Sequence, residues 1–324
     1  MARPEELIGA LAEGHFVSGE AIAGRFGITR AAVWKQVRAL RARGIPVDAV
    51  RGRGYRIHGG VPLLQHDRIV EGLHLPVRTR LKRLEVAWEV DSTNTQLLAR
   101  DAAVAPAACV AEFQTAGRGR RGRVWHAPFG AAVSLSLAYT FAQLPAGFSG
   151  LGLVAGVAVA DALAALGYRQ VGVKWPNDLM IDGAKVGGLL VESRGEAGGS
   201  TRAVVGVGIN WRIPVGALDG LVDQRWTDLA AVPVPLPSRD ALAAAVINAL
   251  IGALDEFAQH GFQAFGERWA ARDVLAGRQV EVRTGGETVA GRALGIDGEG
   301  ALRVDAAAGV RRFTAGEVSV REGS

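Results

Sequence analysis

Cysteine and lysine are nearly missing from this chain of 324 residues, which has one cysteine, Cys109, and only four lysines among 37 basic residues. A single cysteine excludes an internal disulfide and a cysteine-cage zinc site, so no metal ligands are assigned, and it suits a reducing compartment. Long apolar runs are also lacking. The longest, Leu151 to Leu166, is broken by Asp161 and is short for a membrane span. The opening Met-Ala-Arg-Pro-Glu-Glu has no apolar signal-peptide core. These absences predict a soluble, cytoplasmic protein with no membrane contact. Apolar residues at 49% and charged residues at 21% exclude wholesale disorder, and the length predicts about two or three domains.

Acid is scarce where base is not. Residues 1–60 carry ten basic and five acidic side chains, and the remaining 264 residues balance at 27 of each, so the whole formal excess of +5 lies in the first sixty. A basic module on a neutral body points to an anionic polymer as the partner of the first part. The arginine bias fits a GC-rich coding sequence. It also singles out the few lysines as positions where a compact ammonium does what a guanidinium cannot, and Lys174 and Lys185 fall in one short stretch.

The basic module predicts three helices and a hairpin. Leu7, Ile8 and Leu11 recur at helical spacing from Pro4 to Ala12. Ser18 caps a helix from Gly19 to Phe26 that Gly27 ends, and Thr29 caps the next, Arg30 to Arg43, with Gly44 as its stop. Helix, glycine turn, second helix is the helix-turn-helix pattern. The second helix keeps Ala32, Val33, Val37 and Leu40 for its buried stripe and shows Arg30, Trp34, Lys35, Arg38 and Arg41 on the other face. Val47 to Val50 and Tyr55 to Ile57 flank Arg51-Gly52-Arg53-Gly54 as a basic-tipped wing. A solvated face is the plain alternative. Two basic elements converging with almost no acid between Arg25 and Arg56 favour DNA, with the helix in the major groove and the wing on the backbone.

From His66 to Val274 strands and helices alternate without a repeat. Strands are predicted at Leu84 to Val90, Cys109 to Phe113, Ala132 to Tyr139, Val171 to Trp175, Lys185 to Glu192 and Ala203 to Ile209. Helices are predicted from Asp91-Ser92-Thr93-Asn94 to Arg100, at the apolar Leu151 to Leu166, and at Ala241 to Phe257. From Gly277 onward, five short strands separated by glycine turns predict a small β-barrel. The class is α+β.

The most unusual stretch is Gln114-Thr115-Ala116-Gly117-Arg118-Gly119-Arg120-Arg121-Gly122-Arg123-Val124-Trp125. Its glycines match a dinucleotide fingerprint, but no helix follows them and no acid occurs between Glu112 and Asp161, so that match is accidental. Four arginines without an acid in the loop predict a segment that repels itself when empty and is ordered by an anion, carboxylate or phosphate. Nucleic acid is the competing ligand. Lys174-Trp175-Pro176-Asn177-Asp178 ends one strand and Lys185-Val186-Gly187-Gly188-Leu189-Leu190-Val191-Glu192 begins another, a placement suited to phosphate and amine chemistry. Plainer readings stand beside these: Pro-Asn-Asp as a turn, Ser92-Thr93-Asn94 as a helix cap, Gly206-Val207-Gly208-Ile209-Asn210 as a strand of small residues. No P-loop is present.

Taken in order, these five segments resemble the biotin–protein ligases, and the first sixty residues resemble the winged helix of the bifunctional group that also represses the biotin operon. The resemblance runs essentially the whole chain. It implies a winged helix-turn-helix domain (1–62), a mixed-sheet α+β catalytic domain of biotin/lipoate-ligase type (63–275) and an SH3-like C-terminal barrel (276–324). Ala315-Gly316-Glu317 departs from a paired-glycine pattern, and Arg225-Trp226-Thr227-Asp228 matches loosely.

The resemblance implies that biotin and Mg-ATP (Mg2+ entering with ATP) form biotinyl-5′-AMP, which then biotinylates a lysine of the biotin carboxyl carrier protein of acetyl-CoA carboxylase. It implies biotin contacts by Ser92, Thr93, Asn94, Gln114, Arg118, Gly119, Arg120 and Lys185, and nucleotide contacts by Arg118, Arg121, Trp125, Lys174, Asn177 and Asn210. Lys185, Asp178, Lys174 and Arg120 carry the chemistry in this scheme, with Asp178 positioning or deprotonating the acceptor amine. Operator DNA would meet Thr29, Arg30, Trp34, Lys35, Arg38, Arg51 and Arg53, on a homodimer promoted by biotinyl-AMP. The alternatives are a monofunctional ligase with a vestigial DNA module, a lipoate–protein ligase, and a biotin-sensing repressor without catalysis.

Overall fold

The computed structural model describes residues 4–101, 105–195 and 199–320. Its first unit contains α1 (Pro4–Leu11), α2 (Gly19–Phe26), α3 (Arg30–Ala42), β1 (Val47–Val50) and β2 (Gly54–Ile57). Ser18 Oγ accepts the Ala21 N–H at 3.0 Å, and Thr29 Oγ1 accepts the Ala32 N–H at 3.2 Å, so both helices start on their capping side chains. Gly27 ends α2 at φ 61°, a left-handed conformation that costs glycine little. Leu7, Ile22, Val33, Val37, Leu40 and Ile57 fill the core between these elements. Val17 bridges to Tyr55 and adds a rung to the wing.

The central unit follows with α4 (His66–Glu71), α5 (Leu75–Arg80), β3 (Arg83–Val90), α6 (Thr93–Leu98), β4 (Ala107–Gln114), β5 (Ala132–Phe141), α7 (Leu151–Ala165), β6 (Gly172–Lys174), β7 (Asp178–Ile181), β8 (Ala184–Gly195), β9 (Thr201–Asn210), α8 (Arg239–His260) and α9 (Gly266–Ala270). Its seven strands lie in the order β3-β4-β5-β9-β8-β7-β6, with β3 and β4 parallel and every other pair antiparallel. Alternation along β4 sets the two faces. Ala108 and Val110 join the core under α7 and α8, while Ala107 and Cys109 pack with Leu97 of α6 on the other face. Phe148–Ala165, the helical stretch that includes α7, and α8 are long and apolar enough to cross a membrane, yet most of each is buried against the sheet and the other helix.

Three features differ from expectation. α4 and α5 were not foreseen: each has six residues, and neither has a side-chain cap. They form by packing on α8, and the Arg80 guanidinium meets Asp255, which also accepts the Tyr139 hydroxyl at 2.8 Å. The helix opened by Thr93 stops at Leu98, short of Arg100, whose guanidinium instead pairs with Glu85. The turn expected at Pro-Asn-Asp lies one residue earlier, at Trp175-Pro176-Asn177, because Asp178 already pairs with Lys174 as the first residue of β7.

The C-terminal unit comprises β10 (Gln279–Thr284), β11 (Glu287–Ile296), β12 (Leu302–Ala306), β13 (Gly309–Phe313) and β14 (Glu317–Val320), in the order β13-β12-β11-β10-β14. The predicted extension of the last strand to Arg321 lies outside the described residues. The linker before α4 is held by a buried ion pair. Arg239 at 1% and Glu112 at 4% side-chain exposure meet at 2.7 Å, Arg239 also donates to Pro62 O, and Glu112 accepts the Leu64 N–H.

Candidate functional site

The ends of β4, β6, β8 and β9 open onto a cavity of ≈ 730 Å³, closed by the arginine loop, the segment before Thr227 and the start of β14. Every residue assigned above to biotin, nucleotide or catalysis lines it. One end is polar and neutral. Ser92 sits at the N-cap position of α6 yet makes no capping bond with its hydroxyl, so the cap reading does not account for it. The Gln114 amide oxygen accepts the Thr93 N–H at 2.9 Å, which fixes the amide and turns its NH2 group to other partners. Ser136 Oγ lies 2.7 Å from Thr93 Oγ1 and 2.6 Å from Asn94 Oδ1. Its single proton serves one of these oxygens at a time, while the Thr93 hydroxyl donates to Gln114 Oε1 at 3.2 Å. Asn94 gives its NH2 to Leu190 O and Glu192, so this residue braces the wall of the cavity.

The other end is cationic. Lys185 Nζ meets Asp178 Oδ1 at 2.7 Å, with both side chains largely buried. Burial pulls the Lys174 ammonium below its ordinary range; Asp178 opposes this and Lys185 adds to it. Burial likewise lowers Arg120, helped by its neighbour Arg121. Desolvated cations of this kind are stabilised by an incoming anion. Arg120 Nη1 lies 3.5 Å from Asn177 Oδ1, and Asn177 gives its own amide to Leu189 O at 2.8 Å.

The arginine loop corrects one expectation. It has no acid in its own sequence, but acids distant in the chain meet it in space. Arg118 pairs with Glu192 at 2.9 Å, Arg123 with Glu317 at 2.5 Å, and Arg121 lies 4.0 Å from Glu317. The chain itself therefore offsets the self-repulsion of the empty loop.

Aromatic walls complete the site. Trp125 lies so close to β9 that a Cβ on Gly208 would sit 2.4 Å from its ring, and its Nε1 is buried without a partner among the described residues. That orphaned donor and the apolar face fit a heterocyclic ligand. Trp226 also lines the cavity. Its segment is fixed by Lys185 N–H to Arg225 O at 3.0 Å, Thr227 N–H to Lys185 O at 2.9 Å, and Asn210 Nδ2 to Thr227 O at 2.9 Å. Asn210 thus holds this crossing segment. Sequence reasoning missed Ser136, Glu192, Trp226 and Glu317 as site residues. Trp226, a tryptophan in a polar stretch, carried the one usable signal.

On the winged unit, Thr29 serves as the helix cap, and Arg30 pairs with Glu20 at 2.9 Å on the surface. Trp34 is 53% exposed with Arg38 stacked 4.8 Å from its ring, and Lys35 and Arg51 are exposed. Arg53 and Arg56 stack on Phe16 at 4.3 and 4.5 Å, which aligns the wing beside the α1–α2 loop.

Family models match three segments: an HTH domain at residues 5–56, the Biotin/lipoate A/B protein ligase family at 87–210, and the Biotin protein ligase C terminal domain at 276–321. The bifunctional ligase/repressor BirA of Salmonella typhimurium is 39% identical, with 98% of this chain and 97% of that protein covered. The biotin–[acetyl-CoA-carboxylase] ligase of Mycobacterium tuberculosis is 34% identical over 73% of this chain and 88% of its own length. Among solved structures, the biotin protein ligase of Aquifex aeolicus in complex with biotin and ATP superposes with a TM-score of 0.64 at 26% identity, covering 75% of this chain and all of that one. The chain belongs to the biotin–protein ligases, in their bifunctional ligase/repressor group.

Proposed function

We propose that this protein joins biotin to a lysine of the biotin carboxyl carrier protein of acetyl-CoA carboxylase through biotinyl-5′-AMP, and uses that adenylate to control its binding to operator DNA. The observation that carries the reading is the polarity of one cavity. A neutral hydrogen-bonding end at Ser92, Thr93 and Gln114 faces a cationic end at Lys174, Lys185 and the arginine loop. The first suits a ureido ring, whose buried polar atoms need partners. The second suits a carboxylate meeting a triphosphate.

In the first step a biotin carboxylate oxygen attacks the α-phosphorus of ATP, the bond to the β-phosphate oxygen breaks, and pyrophosphate leaves. Lys185 and Arg120 stabilise charge on the carboxylate and α-phosphate, Lys174 and Arg121 charge on the phosphates. Mg2+ enters as the counter-ion that ATP carries. Trp125 and the segment held by Asn210 enclose the base. Closure of the arginine loop keeps water from the mixed anhydride. In the second step the carrier ε-amine attacks the acyl carbon, the bond to phosphate oxygen breaks, and AMP leaves. Asp178 turns from Lys185 to take the amine proton. The adenylate promotes a homodimer, which brings two winged helices to a two-fold operator.

Biotin-dependent ATP–pyrophosphate exchange tests the first step, followed by transfer to the carrier. Exchange driven by biotin and not by lipoate is the expected result; exchange with lipoate alone, or none, would overturn the assignment.

A further inference from the structure

The C-terminal sheet reaches the cavity through an acidic side chain that the reaction scheme does not use. Glu317 opens β14, and its carboxylate lies 2.5 Å from Arg123 and 4.0 Å from Arg121. Arg283 stands directly opposite Glu317 in the β10–β14 register, so its side chain rises on the same face. All four residues line the cavity. Two loop guanidinium groups thus meet one carboxylate of the C-terminal unit, with a third arginine on the neighbouring strand, and the cluster keeps a surplus of positive charge.

The loop needs such a partner on independent grounds. Arg121 is held at φ 57°, a left-handed conformation that side-chain-bearing residues adopt only when their surroundings impose it. Arg118, Arg120, Arg121 and Arg123 also repel one another within six residues. Glu192 compensates the first of them, leaving the far half of the loop to Glu317.

We propose that Glu317 is a positioning residue for the arginine loop: its carboxylate is a built-in counter-anion that holds Arg121 and Arg123 over the cavity until the nucleotide phosphates take its place. The inference rests on the adenylation reading for the incoming anion only. Arg123 is 63% and Glu317 37% exposed, so the hold is weak by design of its setting, and a multiply charged phosphate chain outcompetes one carboxylate.

The loop carries its own probe, because trypsin cuts after arginine. Full-length protein without ligand is digested briefly, and cleavage after Arg120 and Arg121 is scored by mass. Glu317→Gln should be cut there roughly two- to fivefold faster than the parent, as expected for loss of exposed ion pairs. Glu317→Asp should fall between the two. The exchanged pair Glu317→Arg with Arg123→Glu should return towards parental protection. With saturating biotin and ATP, Glu317→Gln should become as protected as the parent. An unchanged rate in unliganded Glu317→Gln overturns the proposal, as does acceleration that neither the exchanged pair nor ligand reverses. The unliganded comparison needs no catalysis; failure of the adenylation reading would show separately, as a parent that biotin and ATP do not protect.

Discussion

Gly206 and Gly208 bear no reactive group, yet the cavity depends on them. A Cβ on Gly206 would stand 2.4 Å from Asn94 Oδ1, and one on Gly187 would stand 2.6 Å from Gly208 O. These residues are small because Asn94, Trp125 and β8 approach the strand where side chains would otherwise stand. Lys185 shows the opposite case, a charged side chain held inside the cavity. Its ammonium is paired with Asp178 and largely buried at the cationic end. Lys185→Ala should slow biotinyl-AMP formation about tenfold or more with the fold retained, since it removes charge stabilisation made in the transition state. Parental pyrophosphate exchange in that variant would exclude Lys185 from the reaction. Lys174, Asp178, Lys185 and the arginines were legible because scarce lysine and a glycine–arginine tract are local signals. Ser136 and Glu192 were not, since each is an ordinary strand residue whose meaning comes from Asn94 and Arg118 across the sheet.

At the scale of the element, the proposed scheme makes the arginine loop the lid over the intermediate. Arg120 is the loop residue that reaches Asn177 and suffers the burial of the cavity. Arg120→Gly should loosen closure and release biotinyl-AMP, seen as biotin on lysines of bystander proteins. Labelling confined to the carrier would mean that the loop is no lid. A second element gives a pH test. Asp273 links α9 to β10; its Oδ1 accepts the Leu275 N–H at 2.8 Å, and its Oδ2 is buried without a partner among the described residues. Burial pushes its carboxyl up to about 6, against the amides of Leu275 and Ala276. A carboxyl that holds its proton more tightly when folded contributes stability that is full below about pH 4 and lost as pH rises through about 6. Asp273→Asn keeps the acceptor and removes the charge, so it should raise Tm at pH 7.5 by a few degrees, with at most about 3 kcal/mol at stake. That gain should shrink to about a third near pH 4.5, where part of the unfolded population of this carboxyl is already protonated; an equal gain at both pH values would contradict the buried-charge account. Elements with caps and periodic apolar residues, such as α2, α3 and α8, were legible in sequence. α4 and α5 were not, because packing on α8 decides them.

At the scale of the molecule, the charge asymmetry of the sequence becomes a division of labour. The basic winged unit shows Trp34, Lys35, Arg38 and Arg53, and the neutral body holds the cavity. Between them the linker is fixed by Arg239 and Glu112, and Glu112 lies two residues before Gln114 on β4. Breaking such a buried pair costs about 3–5 kcal/mol, and Arg43 with Glu89 at 2.8 Å joins the winged unit itself to the body. The three-part division was visible in sequence as a basic module, an alternating body and a run of short strands. The contacts between parts were invisible, since Arg43 with Glu89 and Glu317 with Arg123 join residues far apart in the chain.

In the proposed scheme one adenylate made in the cavity serves both carrier and operator, and it can favour a DNA-binding dimer only by binding that state more tightly. The direct measurement is operator binding by the full-length protein at one fixed salt concentration, with and without biotin plus ATP. The account predicts binding about tenfold or more tighter when both ligands are present, reversed by added carrier protein and lost in Trp34→Ala with ligase activity intact. Equal affinity with and without the two ligands would contradict it.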